Sequence, residues 1–306
     1  MPFTLIKGTF RLVNKTKLGN ATGFEPDGDS MQFHPNNPKL LDQLEQLMTP
    51  YRLTAIGSVQ LRFEGIDALE LHFTAGQGGS THQPRPLADQ ARDTLVDEAD
   101  LDPVNYAPPR NIRVKPPAPN DGARGYIMSR SLDVHGRPVA FAFAGATYQR
   151  DGGSVHLTPT GLRRSLNHKL VTAGQAYPLF YDTLFFDLRD ELAAAAATAR
   201  AARRGVWKED LTLKGTSGAS FAQLESNAVV FPKLFRRMAE YLGEGNTGMS
   251  GFKQWIADKK ERVFDLDTTN NTHFDTYIDV ASGKVSLNKD PRRLVFVSAK
   301  GRAPWL

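Results

Sequence analysis

Apolar and polar residues alternate in short runs at 10–13, 58–63, 126–129 and 139–142, with glycine-containing turns between the runs. Period-two alternation marks strands with one buried face, so this region predicts a small β-barrel. Leu40, Leu41, Leu44 and Leu47 follow helical spacing behind Pro38, which suits a first helical position, and predict a short amphipathic helix between strands. Residues 71–125 hold 8 of the 19 prolines, the texture of a surface excursion with at most one helix, near 89–101. The clearest helix is 185–204, rich in Ala, Leu and Arg and followed by Gly205. After Trp207 the segment LKGTSGAS (213–220) reads as a linker. Helical patterns follow at 231–242 and 251–262, with strand patterns at 273–280 and 292–299 around a Ser282-Gly283 turn.

A chain of 306 residues accommodates one elaborated domain and a smaller second one. No apolar run approaches the roughly 20 residues of a spanning helix, so no membrane partner is expected. The chain has no cysteine, which excludes disulfides, zinc-thiolate sites and thiol nucleophiles. The opening MPFTLIKGTF lacks a secretory pattern, so a cytoplasmic location is expected, or a secreted one if the N-terminus is already processed. The formal charge of +5 favours a polyanionic partner. Residues 1–210 contain 24 Lys/Arg against 23 Asp/Glu, and 211–306 contain 14 against 10, so the surplus is C-terminal. That region is expected to extend a nucleic-acid footprint or to present ordinary solvated helix faces.

Three segments carry candidate chemistry: PDGDS at 26–30, RFEGIDALE at 62–70 and DVHGR at 133–137. Alone, a DGD tripeptide is usually a turn, and an Arg eight residues before a Glu is usually a solvated pair. Read as one site, they supply what phosphodiester cleavage needs. Asp29 and Asp67 offer the carboxylate oxygens that calcium prefers, and Asp27 is placed to orient a metal-bound water. Arg62 and Arg137 present planar, permanently charged forks to phosphate oxygens. Glu70, three residues after Asp67, is the candidate general base for water. Gly136 removes side-chain bulk before Arg137, as a tight turn requires.

In order and inner spacing these segments resemble the staphylococcal nuclease family, whose pattern is DGDT or DGDS, then R-L-x-G-I-D-x-x-E, then D-x-Y-G-R. SLNHKLVTAGQA at 165–176 and ARAARRGVW at 199–207 extend the likeness. The resemblance implies an α+β fold: a five-stranded OB-like β-barrel with flanking helices over 1–210, carrying insertions near 31–58 and 71–125. Residues 211–306 would form a small α+β accessory domain. It further implies a calcium-dependent endonuclease acting on DNA and possibly RNA and leaving 3′-phosphate ends. In that scheme Arg62, Glu70 and Arg137 are catalytic, and Asp29, Asp67 and the main-chain carbonyl of Ala68 hold calcium.

The chain departs from the pattern at Leu69, where the family has proline, and at His135, where it has tyrosine. His135, Phe180 and Tyr181 are candidate nucleotide contacts, and Asn167 is read as holding backbone. The alternative is a non-catalytic barrel of the same fold that binds nucleic acid or protein. Retention of Arg62, Glu70, Arg137, Asp29 and Asp67 argues against it.

Overall fold

A computed structural model describes residues 2–17, 20–23, 25–46, 48–76, 79–102 and 122–298. Contacts divide the chain into two interleaved compact units, Met1–Glu64 with Arg92–Leu170, and Gly65–Ala91 with Val171–Leu306. Residues 211–306 thus share a unit with 65–91 and 171–210.

The first unit contains a closed barrel. Its strands are β1 (Phe3–Arg11), β2 (Ser30–Pro35), β3 (Val59–Phe63), β4 (Ala123–Leu132) and β5 (Pro138–Ala144). β1 pairs with β2, β2 with β3, β5 with β4 and β4 with β1, all antiparallel, while β3 and β5 pair in parallel. This closure is compatible with an OB-fold and removes the exposed sheet edges of an open sheet. Strand alternation fills the interior: Ile6, Phe10, Met31, Phe33, Leu61, Phe63, Ile127 and Ala142 share one face and are all buried. The rings of Phe10 and Phe33 meet at 5.4 Å between centroids.

The helix foreseen from Pro38 is a six-residue 3-10 turn, Pro38–Gln43, capped by Asn37. It stops early because Glu45 turns to bond β4, its N–H donating to Arg130 and its carbonyl accepting from Leu132. The expected insertion 71–125 contains helix α1 (Arg85–Glu98), four residues earlier than the 89–101 reading; 103–121 fall outside the described residues.

α2 (Leu166–Ala173) carries Asn167, which is fully buried. Its Oδ1 accepts from the Ala142 N–H at 3.0 Å, and its Nδ2 donates to the carbonyls of Glu64 (2.9 Å) and Ala140 (3.1 Å). One side chain therefore ties the end of β3 to β5 and satisfies backbone groups that water cannot reach.

In the second unit, strand Ile66–Ala68 pairs with Ala176–Pro178. α3 (Phe186–Ala201) buries Leu188, Leu192, Ala196 and Ala199, one helical stripe. Three further helices follow: α4 (Phe221–Asn227), α5 (Pro232–Gly243) and α6 (Phe252–Asp258). A four-stranded sheet runs in the order Phe180–Tyr181, Leu294–Phe296, Arg262–Asp265, Asn271–His273. A smaller sheet joins Thr216–Ser217, Lys284–Leu287 and Ile278–Ala281, closed by Ser282 and Gly283, both at positive φ as a two-residue hairpin turn favours.

The segment 213–220 is not a free linker, since Thr216 and Ser217 pair with Val285 and Lys284 and Thr216 is buried. The strand pattern at 273–280 is broken by a 3-10 turn, Phe274–Tyr277, because two aromatic rings three residues apart both bury on one face and Tyr277 donates to Asp265. Among the described residues, no helix is long and apolar enough to cross a membrane.

Truncating Asn167 to alanine removes three hydrogen bonds to buried backbone, of which the Ala140 carbonyl keeps another from the Glu64 N–H, so Asn167→Ala is expected to lower stability by roughly 2–4 kcal/mol. Urea denaturation checks this, and a loss below about 1 kcal/mol would show that the barrel does not lean on this side chain.

Candidate active site

The three motif segments of the barrel unit are brought together by strand register. Ser30, directly after Asp29, lies opposite Arg62, and Arg62 lies beside Val139, two residues after Arg137. The Asp29 carbonyl also accepts from the Phe63 N–H at 3.0 Å, and the Asp27 carbonyl accepts from Ser30 at 3.3 Å. Leu61 and Phe63 point into the barrel, so alternation turns Arg62 outward and leaves it half-buried. Asp29, Arg62 and Arg137 are thus set at the ends of three neighbouring strands.

Between β4 and β5 the DVHGR turn is built around Asp133. Its Oδ1 accepts from the N–H groups of His135 and Arg137, both at 2.9 Å, and its Oδ2 accepts from the Arg137 guanidinium at 2.7 Å. This is a local carboxylate turn that aims an arginine. Gly136 has φ +79°, and a Cβ there would fall 2.3 Å from the Pro50 carbonyl, so conformation and space both demand glycine. His135 is exposed. Glu64, two residues after Arg62, is buried, and burial raises its carboxyl pKa against the opposing charges of Arg130 and Arg62.

Asp67, Ala68 and Glu70 belong to the second unit. Gly65 opens the segment at φ +77°, where a Cβ would lie 2.5 Å from Leu192 of α3. Ala68 pairs with Ala176 and Asp67 with Tyr177. Asp67 is 1% exposed. Both of its oxygens are taken by one guanidinium: Arg236 Nη1 donates to Oδ1 at 3.0 Å and Nη2 to Oδ2 at 2.9 Å. The same Nη1 donates to Glu70 Oε1. The Glu70 backbone is held as well, its N–H donating to Gln83 Oε1 at 3.2 Å and its carbonyl accepting from Gln83 N at 2.8 Å. The buried Gln83 amide then donates to the carbonyls of Ala228 and Val230, just ahead of α5.

α5 is positioned by its own charges. Leu234, Phe235, Met238 and Leu242 form its buried stripe. Beside them Lys233 and Arg237 both pair with Glu261, and Lys233 Nζ sits 4.3 Å from the Phe296 ring centroid. Burial alone would raise the Glu261 carboxyl, but Lys233 and Arg237 outweigh it and hold it down to about 2. Burial likewise opposes the charge of Arg236, yet Asp67 and Glu70 carry its pKa upward.

Of the candidate nucleotide contacts, Phe180 is fully buried and strand-paired with Val295, so its ring belongs to the core. Tyr181 is half-buried, with Lys233 Nζ 3.3 Å from its hydroxyl. Gln83, Arg236 and Glu261 are neighbours the motifs did not reveal, and Asp133 lies in the DVHGR motif, which gave it no role of its own. Arg236 left one signal, a cation set against the apolar stripe of 231–242; Gln83 left none. Among the described residues, no three acidic or histidine side chains are gathered to hold a metal, and the expected set needs only two carboxylates and a carbonyl. No protein-family model matches this chain, and no curated protein matches it significantly.

Because Glu261 is depressed in the folded state, its contribution is complete above about pH 4.5 and is lost as pH falls toward 2. Glu261→Gln is expected to cost roughly 3 kcal/mol at pH 7, with the gap from the parent narrowing below about pH 4.5. Urea unfolding across pH checks it; a gap unchanged down to pH 3 would break the ion-pair account of how α5 is held.

Proposed function

We propose that this protein is a calcium-dependent endonuclease of the staphylococcal nuclease type, acting on DNA and possibly RNA. The observation that carries the reading is the barrel register that aligns Ser30, Arg62 and Val139, because it gathers Asp29, Arg62 and Arg137 from segments up to 108 residues apart in the chain. Unrelated turns would have no reason to share one barrel rim.

In this reading Arg62 and Arg137 clamp the non-bridging phosphate oxygens and stabilise the charge that builds as the phosphorus becomes five-coordinate. Asp133 keeps the Arg137 guanidinium aimed, so less ordering remains for the transition state. Glu70 takes the proton of the attacking water. The resemblance assigns calcium to Asp29, Asp67 and the Ala68 carbonyl, oxygen donors of the kind a hard cation prefers, and Asp27 would orient its water. When bound, calcium supplies positive charge beside the phosphate and lowers the pKa of water.

A specific observation also favours a second reading. With Asp67 and Glu70 both closed by Arg236, the same barrel would serve as a nucleic-acid or protein-binding scaffold that does not cleave.

Plasmid nicking separates the two. A nuclease nicks with calcium and stops with EDTA. Arg62→Ala, Glu70→Ala and Arg137→Ala each reduce turnover by about 10²–10³ with the fold intact. Binding of oligonucleotide without cleavage at any calcium concentration would establish the scaffold instead.

A further inference from the structure

A second-unit arginine satisfies both carboxylates that the functional reading assigns to metal and base. Arg236 reaches them from the interior of α5, donating in parallel to the two oxygens of Asp67 and also to Glu70. The side chain of Asp67 is 2% exposed, and those of Arg236 and Glu70 are 20% and 12% exposed, so the pairs are largely desolvated. Breaking one partner out of such a pair is costly. A cation that used the oxygens of Asp67 would meet the guanidinium in the same place.

Resting on the nuclease reading, we propose that Arg236 is a built-in latch: it stands in for the metal at Asp67 and Glu70, and calcium engages this segment only when Arg236 withdraws. The clamp is arranged to hold the latch shut. Gln83 ties the Glu70 backbone to the carbonyls of Ala228 and Val230 at the approach to α5, while Lys233 and Arg237 fasten α5 to Glu261. The arginine therefore does not swing on a loose loop. Withdrawal requires a side-chain flip or a shift of the helix.

A site competent only in a minor state binds its ligand more weakly by the fraction of that state. A latch open about 1–10% of the time weakens calcium about 10- to 100-fold. Titration calorimetry of calcium into the full chain should therefore show Arg236→Gln binding about 10- to 100-fold more tightly than the parent. Adding Asp67→Asn to Arg236→Gln should remove the gain. Arg236→Lys, a point charge without the fork, should fall between.

Because Arg236→Gln leaves two buried carboxylates without their cation, thermal melting accompanies each titration, and calcium should raise its Tm more than the parent's. The parent protein supplies an independent readout: hydrogen exchange across 232–243 should quicken on calcium binding as the helix loses its anchor. Equal calcium affinity in parent and Arg236→Gln, or unchanged exchange in α5 with calcium bound, overturns the latch while leaving the nuclease reading standing if calcium still drives nicking. No calcium binding by either protein, with no nicking, overturns both.

Discussion

A carboxylate as deeply buried as Asp67 cannot remain an anion without a cation beside it, and that constraint organises much of the second unit. The partner is Arg236, whose fork meets both Asp67 oxygens only where its helix is held in place. α5 is accordingly fixed twice, by an apolar stripe that packs Phe235 against Phe73 and by Lys233 and Arg237 sharing Glu261. Glu261 in turn precedes a sheet strand, Arg262–Asp265, whose Asp265 accepts from Tyr277 and pairs with Lys289. Each buried charge answers another, so the network resists removal of any one member more than a sum of surface pairs would.

The barrel unit solves a different problem. Closure makes every strand's register depend on the others, and a one-residue slip would reverse inside and outside around the ring. Asn167 helps prevent this by bonding backbone at the end of β3 and on β5. Once the register is fixed, the loop before β2 and the turn between β4 and β5 are the parts free to vary. Those are the places where Asp27, Asp29, Asp133 and Arg137 reside, a rigid frame carrying variable chemistry.

How much of this could be read from the chain follows from the range of the interactions. Strand alternation and the long alanine-rich helix depend on neighbours in sequence, and four barrel strands and α3 emerge near their expected places. The Gly136 turn was legible because glycine before an aimed arginine has a local cause. Arg236 was not, since its partners lie 166 and 169 residues away and an arginine in an amphipathic helix ordinarily faces water. Nor was the role of 213–220, where Gly, Ser and Thr signal flexibility yet Thr216 is buried and paired with Val285. Composition describes what a segment does when left alone, and this one is not left alone.

The C-terminal charge surplus takes on a different meaning in this light. Of the 14 Lys/Arg beyond Asp210, at least eight are engaged in ion pairs: Lys233, Arg236, Arg237, Lys253, Lys259, Lys289, Arg292 and Arg293. A cation already neutralised by a carboxylate releases few counterions from a nucleic acid, so it adds little to the salt dependence of binding. Seven of these eight pair with carboxylates of the same region, and Arg236 alone answers carboxylates outside it, Asp67 and Glu70. What the region beyond Asp210 supplies to the carboxylates at 67 and 70 is the Arg236 guanidinium, and cutting the region away would strip Asp67 of its cation and Gln83 of the two carbonyls it holds.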